Sequence, residues 1–388
     1  MRFSSPTSSD ISSNKTIVFD NVRVSVITDR IIRVEKCDDG VFEDRPTQMV
    51  FDRNFANTHF KYEICGDKIV VETQKKVFSV DKNTLKVRVK KGEKWVKESD
   101  GNNLSGTART LDFSWGRWQL PSVRVKMGKG LFSTAGIVEI DDSGSFILLE
   151  NGSVEMRKEG VVDKYIFAFD DDYLGGLKEF YSLTGSTPVL PKYALGNWWS
   201  RYHAYTQEEY IQLMDKFSEK DIPLTVATID MDWHLVKDVP KEASKLPHSF
   251  QGPGWTGYTF NKKLFPDHKQ FFKDLKARGL AITMNLHPKD GVRFFEEQYP
   301  DMARANGIDP ETKQTVEFTD IRFVESYFDI LHHPYEEDGV DFWWIDWQQG
   351  KKSKLKGFDP LWALNHYHTL DSGREGRTPL ILSRYAGV

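Results

Sequence analysis

Several charged or imidazole side chains each close an apolar run. Asp230 follows Leu224-Thr-Val-Ala-Thr-Ile229, His287 follows Leu280-Ala-Ile-Thr-Met-Asn-Leu286, and Arg384 follows Pro379-Leu-Ile-Leu382 and Ser383. Asp346 sits inside Val340-Asp-Phe-Trp-Trp-Ile-Asp-Trp-Gln-Gln-Gly350, a short, apolar, aromatic stretch that has the signature of a buried strand. Burying a carboxylate is costly unless something pairs with it or uses it. Side chains alternate along a strand, so Val340, Phe342, Trp344 and Asp346 share one face and Asp341, Trp343 and Ile345 the other. A carboxylate at the end of such a strand, with two rings leading up to it, describes a lined pocket. The competing reading is a strand-end Asp that caps the next turn. Two carboxylates, an arginine and several tryptophans suit a sugar, because rings stack on its apolar faces and charged groups bind its hydroxyls. Any one of these residues is more readily structural than functional; together, at one topological position, they favour a shared site.

The elements needed to bring them together are strands that alternate with helices. Ala194–Trp199 is a candidate strand. Thr206-Gln-Glu-Glu209 has the form of a capping box, opening a helix with Tyr210, Ile211, Met214 and Phe217 on one stripe. A helix over 267–277 stops at Gly279, a further helical pattern spans Val324–Leu331, and a short one spans Leu361–Leu370. This βα repetition predicts a parallel sheet, and in a (β/α)₈ TIM-type barrel the carboxyl ends of the strands meet at the catalytic face. The texture before residue 190 is different. Val22–Ile27, Ile31–Val34, Lys68–Val71, Leu85–Val89, Ile137–Ile140, Phe146–Leu149 and Tyr165–Phe169 alternate or run β-branched between Asp, Gly and Asn. They predict an N-terminal β-sandwich over residues 1–188, with Gly185-Ser-Thr-Pro-Val-Leu-Pro191 as linker and the barrel over 189–388.

Composition narrows the function classes. The chain has 388 residues, a net charge of −4, 13% aromatics and 11 Trp. Neither that charge nor any basic patch points to nucleic acid. No apolar run approaches the roughly 18 residues of a membrane helix, and the first ten residues lack the apolar segment of a secretory signal, so the expectation is cytoplasmic. Cys37 and Cys65 are too few for a disulfide framework or a metal cluster. His366 and His368 stand at i and i+2 of a candidate helix, which do not face the same way, so no metal or other cofactor is expected.

Trp344-Ile-Asp346-Trp347 resembles the nucleophile motif of glycoside hydrolase family 31, the α-glucosidase and α-xylosidase family. Asp230-Met-Asp232-Trp233 resembles its second-strand motif, and Asn285-Leu-His-Pro288 and Ser383-Arg384 resemble its third- and fifth-strand motifs. Asp44-Arg-Pro-Thr-Gln48 and Gly106-Thr-Ala-Arg-Thr-Leu-Asp112 are similar to the sandwich domain that precedes the barrel in some members. The resemblance implies that Asp346 is the nucleophile of a retaining mechanism. It implies that Asp230 and Arg384 bind sugar hydroxyls and that Trp344 lines the cleavage subsite. His287 and Trp233 would belong to the same substrate pocket in supporting or packing roles, with Asp232.

A retaining glycosidase also needs an acid/base carboxyl about 5–5.5 Å from the nucleophile. In the family this is an Asp beyond the fifth strand, in a Gly-Asp motif, and no match to it occurs before Val388. Asp341 is no substitute, being about 16 Å away along the strand and on its other face. A typical barrel takes about 250 residues, more than follow the linker, and about five strands can be counted. The expectation is therefore the front portion of a longer hydrolase, with the barrel incomplete and inactive as it stands. Two classes stay open: a retaining α-glycosidase acting on an oligosaccharide or glycoside, or a non-catalytic relative that keeps the sugar pocket as a binding or interaction module.

Overall fold

The computed structural model describes residues 2–3, 15–55, 58–107, 127–248, 252–346, 353 and 355–383. Its N-terminal part is built from strands β1 (Thr16–Phe19), β2 (Val22–Val26), β3 (Ile31–Lys36), β4 (Phe60–Cys65), β5 (Lys68–Thr73), β6 (Val77–Asp81), β7 (Val87–Lys91) and β8 (Lys94–Val96). After these come β9 (Ile137–Asp141), β10 (Ile147–Leu148), β11 (Val154–Glu155), β12 (Val162–Ala168) and helix α1 (Tyr173–Thr184). Two five-stranded sheets result, in the orders β1-β2-β3-β12-β9 and β4-β5-β6-β7-β8. Every pairing in them is antiparallel.

Alternation decides what each face does. Val22, Val24, Val26, Ile32, Val34 and Ile166 from the first sheet share one apolar cluster with Ile69, Val71, Phe78, Val80, Val87 and Val89 from the second. The intervening residues Arg23, Arg33, Glu35 and Asp163 point to the opposite face of the first sheet, where they are buried and ion-paired. The segment Asp44–Gln48 crosses this face. Asp44 accepts from Arg23 and Arg33, Thr47 donates to Asp142, and Gln48 exchanges hydrogen bonds with the Phe146 backbone. Helix α1, which no sequence pattern announced, covers the apolar end of the same face with Phe180 and Leu183 and is capped by Asp172. Residues 108–112 of the Gly106–Asp112 motif lie outside the described residues.

The C-terminal part runs β13 (Trp198–Trp199), α2 (Gln207–Glu219), β14 (Val226–Ile229), α3 (His268–Ala277), β15 (Ala281–Leu286), α4 (Tyr299–Ala305), α5 (Ile321–Leu331), α6 (His333–Asp338), β16 (Phe342–Ile345), α7 (Pro360–Ser372) and β17 (Ile381–Ser383). The strands form one parallel sheet in chain order, β13-β14-β15-β16-β17. The Thr206–Glu209 capping box forms, with each residue bonding the other's backbone amide. The strand expected over 194–199 shrinks to Trp198–Trp199, because Lys192–Leu195 turns as a 3₁₀ helix instead. Helices α4 and α6 were not foreseen. Both begin near a proline (Pro300, Pro334), the residue that usually signals a stop but is tolerated in a first helical turn.

Strand alternation divides the barrel sheet as cleanly as the first one. Ala227, Ile229, Ile282, Met284, Leu286 and Trp343 pack among the helices in the largest apolar cluster. Val226, Ala281 and Phe342 form a separate cluster on the other face, with Trp198, Leu380 and Leu382 against it. The two parts of the chain touch where Phe3 packs on Phe328 and Tyr367, and where the Tyr367 hydroxyl donates to the Gly152 carbonyl at 2.9 Å.

Candidate active site

The parallel register puts the expected site residues in adjoining rows. Ile229 is level with Met284 and Leu286 with Ile345, so Asp230 and His287 leave neighbouring strands, and so do His287 and Asp346. The row beneath is Asn285 beside Trp344, with Leu382 next to Trp344. The ladder runs to the last of these residues, since the Asp346 amide donates to the Leu286 carbonyl at 2.9 Å. Asp346 is 6% exposed, His287 is 3% exposed, and Asp230 and Trp344 are half-buried. His287 Nε2 stands 3.4 Å from Asp346 Oδ2, close enough for charge to be felt across the gap. Asp230 accepts from the Met231 amide at 2.7 Å and caps the short turn Met231–Trp233. Its carboxyl is held above the ordinary aspartate range, chiefly by burial, while the Asp346 charge adds to the shift and His287 opposes it.

The other expected residues are placed apart from this row. Trp233 is 1% exposed, packs against Phe260 and Tyr335 in the core, and spends its indole N–H on the Asn285 carbonyl at 2.9 Å. It therefore braces the Asn285 strand from behind. Asp232 is half-buried, and burial raises its carboxyl against the pull of Lys237 and His203. Asp341 lies at the opposite end of β16, bound to the Ile282 amide at 2.6 Å and paired with Lys276. Arg384 and Trp347 lie outside the described residues.

His366 and His368 occupy helix α7, and burial pushes both imidazoles down, His366 to about 4. Among the described residues, His333, Glu336 and Asp371 group in a way a cation could use. They belong to the helices leading into the starts of β16 and β17, and Arg2 and Arg374 already pair with these carboxylates. Ion pairing accounts for that group.

One aromatic at the site carried no sequence signal. Trp255, in the long connection between β14 and α3, has its ring 4.4 Å from the His287 ring. It lies in no periodic run, so only the folded loop reveals it. Asn285, the first residue of the third-strand motif, has its side-chain atoms buried without a hydrogen-bond partner among the described residues.

The Glycosyl hydrolases family 31 TIM-barrel domain matches residues 187–386. The chain belongs to glycoside hydrolase family 31. Among curated proteins, α-glucosidase 2 of Bacillus thermoamyloliquefaciens is 27% identical over 200 residues, which is 48% of this chain and 23% of that protein. An α-xylosidase of Saccharolobus solfataricus is 25% identical over 227 residues, 53% of this chain and 27% of that one. Solved family 31 structures share the fold. A soil-metagenome α-xylosidase complexed with xylose aligns with a TM-score of 0.62 at 13% identity, over 95% of this chain and 64% of its own. A Flavobacterium johnsoniae dextranase complexed with isomaltotriose aligns at 0.63 and 14%, over 96% and 52%. The family 31 chain thus spans about a quarter of the curated relatives it matches. No helix of the described residues is long and apolar enough to cross a membrane.

Proposed function

We propose that this chain carries the nucleophile of a retaining α-glycosidase that hydrolyses terminal α-linked sugars, an α-glucosidase first and an α-xylosidase as the alternative within the class. The observation that carries the reading is the convergence of Asp230, His287 and Asp346 at three neighbouring strand ends, His287 level with Asp346 and Asp230 level with Asn285 and Trp344. Membership of a family whose relatives bear the names α-glucosidase and α-xylosidase supports it. Asp346 attacks the anomeric carbon, so the bond from its Oδ to that carbon forms as the glycosidic C–O bond breaks. The leaving oxygen takes a proton from a general acid. Water, giving a proton back to that group, then releases the sugar with retention. The general acid is assigned to none of the described carboxylates. Asp230 and Arg384 bind sugar hydroxyls, Trp344 lines the subsite, and His287 orients the Asp346 carboxylate. Trp233 supports the pocket from the core.

In the same reading, the two antiparallel sheets are a β-sandwich domain over residues 1–188 and the parallel sheet belongs to a barrel domain over 189–388. The shared apolar cluster between the two antiparallel sheets supports the first, and the chain-order parallel sheet the second. The test is a 2-fluoro glycosyl fluoride of the gluco or xylo series incubated with the full-length protein. A trapped adduct should map to the peptide containing Asp346. An adduct on another residue overturns the assignment, and sugar binding with neither adduct nor turnover favours a non-catalytic binding relative.

A further inference from the structure

The connection between β14 and α3 is anchored at more points than a surface excursion requires. The Thr256 hydroxyl donates to the His287 carbonyl at 2.5 Å and accepts from the Asp290 amide at 3.1 Å. The Arg293 guanidinium, 1% exposed, donates to the carbonyls of Pro253 at 2.5 Å and Pro247 at 2.7 Å. The Glu296 carboxyl, 3% exposed, accepts from the Tyr258 and Thr259 amides and the Thr259 hydroxyl at 3.1, 2.9 and 2.6 Å. Two glycines let the loop close down on its own first residues. A Cβ on Gly254 would stand 2.0 Å from the Val236 carbonyl oxygen, and one on Gly257 would stand 2.3 Å from His234 Nδ1. These anchors bracket a single aromatic ring, Trp255.

That ring meets the His287 imidazole at 4.4 Å and a tilt of 52°, and His287 in turn faces Asp346 at 3.4 Å. Trp255 is half-buried, and its indole N–H is shielded with no hydrogen-bond partner among the described residues. A shielded donor left unmet is unfavourable, and core packing alone does not call for one. We infer that Trp255 is a substrate-contacting wall of the sugar subsite at Asp346, held in its binding position by Arg293, Glu296 and Thr256 before any sugar arrives. The inference rests on the glycosidase reading above. An indole offers a flat apolar face to the C–H face of a pyranose and an N–H to a hydroxyl. A loop fixed in advance avoids the entropy of ordering it on binding.

The test compares the wild-type full-length protein with its Trp255→Phe, Trp255→Ala and Trp255→Leu variants. Each is titrated calorimetrically with 1-deoxynojirimycin and with its counterpart lacking the hydroxymethyl group, with circular dichroism as the check of folding. The phenylalanine variant, which keeps a ring, should bind within about threefold of wild type. Alanine and leucine should each weaken binding by roughly tenfold, the scale of a lost ring contact. On an aryl glycoside that loss should raise KM more than it lowers kcat. Leucine keeps apolar bulk, so it decides the matter if the alanine variant does not fold. Binding by the leucine variant as tight as wild type makes Trp255 a packing residue and overturns the inference while the glycosidase reading stands. A wild-type full-length protein that binds neither iminosugar overturns both.

Discussion

Two regions of this chain bury charge, and they differ in how densely that charge is paired. On the first antiparallel sheet, Arg33 grips Asp163 with two hydrogen bonds at 2.8 and 2.7 Å, and Arg23 grips Glu35 at 2.7 and 3.0 Å. Arg157 joins Asp163 to Asp142, so each buried acid has a cation beside it. Burial alone would raise the Asp163 carboxyl, yet the Arg33 charge and hydrogen bonds hold it at about 2. At the barrel strand ends the side-chain partners are fewer. His287 and Asn285 are buried with no hydrogen bond to their side chains among the described residues, and His287 faces Asp346 across 3.4 Å. Burial by itself therefore does not separate a structural charge from a functional one. The number of partners does, because a group satisfied inside the fold has no capacity left for a ligand.

The largest effect that could break this contrast is at Asp346. Asp346→Asn should lower kcat by at least about 10³-fold, the order found when a nucleophile is removed, with the melting temperature nearly unchanged. A variant that fails to fold would put Asp346 in the same class as Asp163. Asp163→Ala should do the reverse. It leaves Arg33 and Arg157 buried beside a lost partner, which costs about 3–5 kcal/mol in denaturant unfolding while kcat per folded molecule holds.

Glu296 sharpens the comparison, because it is as buried as Asp163 but is held by amides and a hydroxyl. Burial pushes its carboxyl up to about 7, and those donors and Arg293 only partly offset the shift. The folded state thus holds this proton more tightly than the unfolded chain. The contribution of Glu296 to stability is fully present below about pH 4.5 and is lost as pH rises through 7, for a swing on the order of 3 kcal/mol. Glu296→Gln should flatten the stability curve across that window, and an unchanged curve would show that Glu296 stays ionised. Asp163, depressed, has the opposite sign: its contribution is present above about pH 4 and fades as pH falls through 2.

The smallest effect concerns Asp230. A charge-assisted hydrogen bond to a sugar hydroxyl is worth about 1.5–3 kcal/mol, so Asp230→Asn should lower kcat/KM by roughly 10–10²-fold. Its raised carboxyl means that ionisation opposes folding, so the variant should match or exceed wild-type thermal stability as pH rises above the carboxylate range. A clear loss of stability at neutral pH would show Asp230 to be a turn cap before anything else.

The sequence by itself determined which residues share a face. Alternation over Val340–Asp346 placed Trp344 with Asp346 and turned Asp341 away, and βα repetition required the strand ends at 230, 287 and 346 to lie on one side of a parallel sheet. Both follow from local geometry, the two-residue repeat of a strand and the short reach of a βα unit. Tertiary structure alone decided the rest. The sequence places Trp233 beside Asp230 in a supporting or packing role, and the packing of Phe260 and Tyr335 alone shows that its side chain turns into the core. Trp255 reads like nothing, because a loop has no period to betray its direction. It reaches His287 through contacts with residues more than thirty positions away, and pairings so distant in sequence exist only once the chain has folded.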